Sequence, residues 1–309
     1  MRLTMYVGLP ASGKTTHAKH YAEATGAVYI SSDAIRYELY GDENIQGDPT
    51  KVFRIMEKRA REALCSGKSV VYDATNLNAK KRANFISQMK SAVKDHIEFY
   101  CHLMVLPYEE CLKRDAARER HVGEEVLHRM LCRFQCPFYN ERWDEIRVFG
   151  LPDHHGAADY LDKLAEAARD YDQRNSHHSL SLLDHMREAA RHIDERVDPD
   201  EEWFVTMAAA WHDIGKLDTQ SIGEDGEAHY YDHQCASAYR FLCGCPDLMP
   251  WDDYCIDDVL YAASLITWHM QHYQCGGAEA LIEWCFKRGF SARFAKYLIM
   301  INEADRAAH

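Results

Sequence analysis

Through the first 150 residues, apolar positions fall into short runs separated by longer stretches with one polar face. The runs at 3–7, 27–31, 69–72, 97–106 and 146–149 are rich in β-branched and aromatic side chains and read as strands. Between them, 51–64, 79–89 and 109–120 repeat apolar residues at helical spacing. Strand alternating with helix predicts an α/β domain, a parallel sheet with helices on both faces and ligands at the carboxyl ends of its strands. The pattern changes in the second half. There 181–196, 202–211, 232–243, 257–269, 278–288 and 292–307 read as helices with no strands between them, which predicts an all-α domain. A turn-rich break at 149–156 separates the two patterns, so the expected domains are 1–155 and 156–309, with a helix at 157–171 and a short loop at 172–176.

Composition narrows the class without naming a chemistry. The 309 residues are 47% hydrophobic and 28% charged, ordinary for a soluble globular chain with two cores. No apolar run approaches the ~18 residues that would span a bilayer. The first strand opens within the first few residues, so no secretory leader is expected, and the eleven cysteines include no C-x-x-C pair. A cytoplasmic location with reduced thiols, no membrane partner and no zinc finger is therefore expected. Charge is uneven, with a balance of +3 over 1–150 and −16 over the remainder. Such an acidic second half argues against general phosphate-backbone binding, so a nucleic-acid substrate would be held locally and chiefly by the first half.

The sequence Gly8-Leu9-Pro10-Ala11-Ser12-Gly13-Lys14-Thr15-Thr16 follows the first strand and opens a helix. Glycines allow a tight turn whose N–H groups, with the helix N-terminus, point at phosphates. Lys14 would reach the β- and γ-phosphates and Thr15 would bind Mg²⁺, so ATP or another nucleoside triphosphate is the expected cofactor. After the second strand, Asp33 and Arg36 lie three apart at a helix start and share one face. They can serve as general base and phosphate fork, or as an N-cap and a solvated cation. Asp73, at the end of the third strand with Asn76 close behind, can order a second site on Mg²⁺ or cap the next helix. Arg114 and Arg118, one turn apart on the 109–120 helix, can close over transferring phosphates as a lid, or be solvated; Arg120 points elsewhere.

These residues together, Gly8 to Thr16, Asp33-x-x-Arg36, Asp73-Ala74-Thr75-Asn76 and Arg114-x-x-x-Arg118, resemble the 5′-kinase domain of polynucleotide kinases. The resemblance implies Asp33 as base toward a 5′-hydroxyl, Arg36 on the acceptor strand, and Arg114 and Arg118 on the donor phosphates. Small-molecule P-loop kinases share D-x-x-R, so the acceptor stays open.

In the second half, imidazoles and carboxylates recur at apolar positions: His185, His212-Asp213, His233, His269 and Asp305. Buried groups of this kind are costly without partners, and a transition metal is one such partner. The pattern, with the words Asn175-Ser176-His177-His178 and Ala208 to Lys216 around it, resembles the HD superfamily of metal-dependent phosphohydrolases. It implies His185, His212, Asp213 and Asp305 on one ion (Mn, Ni, Fe, Co or Zn), with Asp213 bridging to a second completed by His233 and His269. It also implies Lys216 against the scissile phosphate. His177, His178, His229 and His272 are either further contacts or plain surface polarity, and His154-His155 reads as a surface loop.

One half would add a phosphate and the other remove one, a pairing suited to healing nucleic-acid ends, RNA before DNA, ahead of a separate ligase. The alternatives are a nucleoside or sugar kinase fused to a nucleotidase, and a nucleotide-gated regulatory protein.

Overall fold

A computed structural model describes residues 1–42, 45, 47–119, 121–151, 153–174, 180–198, 201–224, 226–245 and 255–308, without the side chains of 154 and 155. The chain divides into two compact units, Met1–Leu127 with Pro137–Gly150, and His128–Cys136 with Leu151–His309.

In the first unit, strands β1 (Arg2–Val7), β2 (Val28–Ser31), β3 (Val70–Asp73), β4 (Glu98–Met104) and β5 (Glu145–Phe149) form one sheet in the order β2-β3-β1-β4-β5. Every pairing is parallel, as the alternating pattern predicts. The register places Tyr6 beside Asp73, which brings the ends of β1 and β3 together. Helices α1 (Lys14–Thr25), α2 (Ser32–Tyr40), α3 (Pro49–Cys65), α4 (Ala79–Ala92) and α5 (Tyr108–Ala116) connect and flank the strands, and α6 (Glu124–Leu131) carries the chain from the first unit into the second. Helix α3 shows why these segments fold as they do. Asp48 caps it by accepting from Thr50 N–H at 2.8 Å, Pro49 occupies its first turn, and Val52, Met56, Ala60 and Leu64 recur every fourth residue on its buried face.

The second unit is helical: α7 (His154–Arg169), α8 (Leu182–Asp194), α9 (Trp203–Trp211), α10 (Lys216–Thr219), α11 (His233–Gly244), α12 (Ile256–Trp268), α13 (Gln271–Cys275), α14 (Ala278–Lys287) and α15 (Ala292–Ala307). Ser181 and Ser291 cap α8 and α15 through their hydroxyls.

The structure corrects the sequence reading in three places. A short antiparallel pair, β6 (Gln220–Ile222) and β7 (Ala228–Tyr230), sits among the helices. The helix expected over 109–120 ends at Ala116, because the buried Asp115 carboxylate accepts from Val122 N–H at 2.9 Å and Gly123 N–H at 3.0 Å and turns the chain back. Arg118 therefore leaves the helix that carries Arg114. The second unit also takes in 128–136, where Phe134 packs edge-on against Tyr239 at 5.1 Å and His128 Nε2 donates to the Asp218 carbonyl at 2.7 Å. No helix among the described residues is long and apolar enough to cross a membrane, and no disulfide joins them.

Candidate functional site

In the first unit, β1 ends at Val7 and the chain turns through Gly8 at φ +148°. A Cβ there would lie 2.5 Å from the Met104 carbonyl oxygen, so the position admits only glycine. Gly8 N–H donates to Thr75 O at 3.1 Å, and Asn76 Nδ2 donates to Tyr6 O at 2.7 Å. These bonds tie the entrance of the loop to the end of β3, which is where the structure puts the Asn76 side chain. Ala11, at φ +65°, and Gly13, at φ +89°, complete the turn, flanking Pro10 and Ser12. The Lys14 ammonium is buried and donates to the Leu9 carbonyl and to Ser12 Oγ at 3.3 Å. Burial pulls it down from 10.5 to about 8, against the opposing pull of Asp73; the Arg118 guanidinium lowers it a little further. Thr15 and Thr16 are exposed at the start of α1.

Asp33 and Arg36 meet as expected, with Arg36 Nη1 on Asp33 Oδ1 at 2.9 Å. The N-cap of α2 is Ser31, whose Oγ accepts from Ala34 N–H at 3.1 Å, so Asp33 is not needed there. Its carboxylate is 40% exposed while the Arg36 side chain is 12% exposed, and the buried Arg36 Nε makes no hydrogen bond. Asp73 is buried and accepts from Tyr29 OH at 2.7 Å; the cap of α4 is Asn78. Arg114 Nε pairs with Glu110 at 2.9 Å on the exposed side of α5, whereas the charge of Arg118 bears on Lys14. Arg120 lies outside the described residues.

Sequence patterns give no hint of the pair beneath this site. Arg82, on α4, and Glu141 are 1% and 2% exposed and share two bonds of 2.7 and 2.6 Å. Arg82 also donates to Asn76 O at 2.8 Å, and Trp143 Nε1 donates to Glu141 at 3.2 Å. The loop bearing Asn76 is thus anchored on a fully used guanidinium.

In the second unit, helices far apart in sequence converge. His185 lies on α8, His212 and Asp213 just past α9, His233 at the start of α11, His269 just past α12 and Asp305 late in α15. Ligand atoms of His185, His212, Asp213 and Asp305 lie within 4.8 Å of one another, and those of Asp213, His233 and His269 form a second such group. All six residues are buried.

The imidazoles are oriented alike. Nδ1 of His212, His233, His269 and His185 faces the carbonyl oxygens of Ala209, Tyr230, Ile266 and Ala308 at 2.7, 2.7, 2.9 and 3.3 Å. A carbonyl only accepts, so each Nδ1 carries a proton and each Nε2 faces the interior of the cluster. His212 Nε2 is fully buried with no hydrogen bond. Asp213 stands between the groups, Oδ2 at 3.5 Å from Nε2 of His185 and of His212, Oδ1 at 3.0 Å from His233 Nε2. Asp305 Oδ1 lies 3.2 Å from His185 Nε2 and 3.4 Å from His212 Nε2.

Burial alone would raise both carboxyl groups. The surrounding imidazoles and Lys216, 2.6 Å from Asp213 Oδ2, instead hold Asp213 well below the usual range, and His185 and His212 do the same for Asp305. Burial and its imidazole neighbours push His269 down to about 3, whereas the Asp213 and Asp305 carboxylates overcome burial to raise His185 to about 9 and to raise His212 as well. Two buried carboxylates with four oriented imidazoles, one with an unused Nε2, form a donor set that fits a divalent transition metal.

Lys216 Nζ is also 3.2 Å from Gln173 Oε1, and Tyr273 OH donates to Asp305 Oδ2 at 3.0 Å although its ring is largely exposed. Neither Gln173 nor Tyr273 carries a sequence signal; both lie in segments of ordinary polarity. His229 stacks on Tyr231 at 5.6 Å and His272 lies beside Tyr273; neither belongs to the metal-competent groups. His177 and His178 lie outside the described residues, as do the side chains of His154 and His155.

The sequence profile of the AAA domain family matches residues 3–137. Among known proteins, Protein KTI12 of Saccharomyces cerevisiae is 23% identical over 180 residues, which are 54% of this chain and 56% of that protein. The chain thus spans little more than half the length of this relative. Among solved structures, a fungal RNA kinase superposes with a TM-score of 0.38 at 13% identity, over 89% of this chain and 60% of that one. A chain of the Pnkp1/Rnl/Hen1 complex gives 0.32 at 23% identity, over 40% and 42%. The profile match, the loop from Gly8 to Thr16 and the five-stranded parallel sheet make the N-terminal unit a P-loop domain, a fold that implies nucleotide binding with Mg²⁺; the C-terminal region is helical.

Proposed function

We propose that the chain heals nucleic-acid ends, RNA in the first instance, phosphorylating 5′-hydroxyls in its first unit and removing a 3′, 2′ or 2′,3′-cyclic phosphate in its second. The observation that carries this reading is that one chain holds both the loop from Gly8 to Thr16 and a buried His/Asp cluster whose donor atoms can hold a metal ion. In the first unit, the loop from Gly8 to Gly13 cradles the triphosphate of ATP. Lys14 and Thr15, with Mg²⁺, neutralise the charge that develops on the transferring group. Asp33, partly exposed and held by Arg36, takes the proton of the attacking hydroxyl, and the Arg36 guanidinium serves the acceptor. Asp73 orders the metal side, while Arg118 approaches the donor phosphates from the turn after α5 and Arg114 from α5 itself.

In the second unit we assign an HD-type site. One metal would be held by His185, His212, Asp213 and Asp305, and a second by Asp213, His233 and His269. A divalent ion there would supply Lewis acidity toward a phosphoryl oxygen. Asp213 is shared between the two groups, Lys216 orients the scissile phosphate from beside it, and Tyr273 fixes Asp305. The product ends are those a separate ligase joins, and the reduced thiols suit a cytoplasmic setting.

The near-neutral +3 balance of the first 150 residues favours a second reading, in which the acceptor is a nucleoside or sugar and the helical unit is a nucleotidase. Phosphate transfer from labelled ATP to a 5′-hydroxyl oligoribonucleotide, with Mg²⁺, decides between them. Transfer by the wild type that is lost in Asp33→Ala supports end healing. No transfer by the wild type, or transfer undiminished in Asp33→Ala, defeats it.

A further inference from the structure

Outside both sites, α3 and α4 of the first unit leave a groove of about 850 Å³ between them. Its α3 wall carries Arg54, Lys58 and Arg61 at i, i+4 and i+7, a stripe ~10 Å long at helical rise. Its α4 wall carries Asn84, Ser87 and Gln88, which offer amides and a hydroxyl. The other arginines of these helices are spent: Arg59 is paired with Glu38, and Arg82 with Glu141. The groove cations are held more loosely. Arg61 makes no ion pair among the described residues, the Asn84 and Gln88 side chains make no hydrogen bond among them, and Lys58 meets Glu62 only at 3.8 Å on an exposed face. Glu57 lies in the same lining beside Arg54 and offsets one of the three charges.

We infer that this groove binds the sugar–phosphate backbone of a single-stranded nucleic acid beyond its reacting end. A chain with a formal charge of −13 has placed three cations on one wall, facing neutral hydrogen-bonding groups on the other. That is the lining a polyanion with sugar hydroxyls requires, with no base-reading element. A protein partner would need large apolar side chains at its centre, and the only apolar residues of the lining are Ala92 and the buried Met89. The stripe is long enough for more than one phosphate, so it acts on strands and leaves a minimal acceptor untouched. The inference rests on the nucleic-acid reading of the kinase unit.

The test uses the full chain and the double variant Arg54→Ala/Arg61→Ala, both exposed positions whose loss leaves the core intact. With a long 5′-hydroxyl oligoribonucleotide, KM is expected to rise several-fold in the variant at unchanged kcat, while both constants for a dinucleotide acceptor stay the same. By fluorescence anisotropy, the slope of log K against log salt is expected to flatten by roughly 1.4, the loss of two single-strand phosphate contacts. Equal KM and equal slope in variant and wild type overturn the groove and leave the kinase reading standing. A wild type that phosphorylates no RNA overturns the kinase reading, and anisotropy still decides the groove. Failure of the wild type to bind any strand, or displacement of bound RNA by an acidic peptide but not by a second polynucleotide, overturns the inference itself.

Discussion

The two units hold charge in opposite ways. The P-loop site is assembled from neighbours in sequence: a loop of consecutive residues, an i, i+3 ion pair at a helix start, and a carboxylate at a strand end. Its base stays partly exposed. The His/Asp site gathers six residues from positions 185 to 305, every one buried, and orients each imidazole by a backbone carbonyl. A site that must admit two substrates tolerates exposed, adjustable groups. A site that concentrates donors on ions needs them fixed before the ion arrives. The difference predicts that damage to the second site costs both activity and stability, whereas damage to the first costs activity alone.

The largest effect is expected from Asp213→Asn, which removes the residue shared by both donor groups. Phosphohydrolase activity should fall at least ~10³-fold, on the scale of losing a principal electrostatic group. Metal content by atomic emission should fall with it, and 5′-phosphorylation should be unchanged. Loss of both activities in a folded variant would break the comparison.

Arg82→Met comes next. Breaking a buried ion pair leaves Glu141 uncompensated, at a cost of about 3–5 kcal/mol. Calorimetry should show the transition of the first unit lowered and phosphohydrolase activity kept at temperatures where that unit has melted. A single transition shifted as a whole would instead join the units into one cooperative body.

Lys14→Met should abolish transfer while stabilising the nucleotide-free protein. The folded ammonium has its pKa lowered from 10.5 to about 8, so below about 8 both states are charged and the full burial penalty is present. Between about 8 and 10.5 the unfolded chain binds the extra proton, so wild-type stability rises with pH across that window. The gain from Lys14→Met should approach about 3 kcal/mol at pH 7 and vanish above pH 10.5. Chemical denaturation across the pH range measures it, and a gain independent of pH would remove the burial argument.

Tyr273→Phe should have the smallest effect. It deletes one hydrogen bond to Asp305, and a loss of about tenfold in phosphohydrolase activity is expected at constant metal content. A matching fall in bound metal would make Tyr273 part of the donor scaffold and sharpen where that scaffold ends.

The same contrast governs what the sequence discloses. Parallel β/α alternation and the loop from Gly8 to Thr16 are local patterns, visible without neighbours. The ion pair of Asp33 and Arg36 follows from helix spacing, though the capping role falls to Ser31. The buried histidines stand out as polar residues at apolar positions. What escapes reading is set by tertiary partners. Residues 116–120 have helical propensity, yet Asp115 ends the helix by capturing two amides beyond it. Arg82 looks like one more surface cation until Glu141, 59 positions away, meets it in the core. The excursion of 128–136 into the second unit depends on contacts such as Cys136 N–H to Thr267 Oγ1, which no local pattern records.

The most direct test of the account is one RNA strand with a 5′-hydroxyl and a 3′-phosphate, given to the wild type, Asp33→Ala and Asp213→Asn with ATP, Mg²⁺ and Mn²⁺. The account predicts both ends changed by the wild type, only the 3′ end by Asp33→Ala and only the 5′ end by Asp213→Asn. A wild type that leaves either end untouched, or variants that each lose both activities, would contradict it.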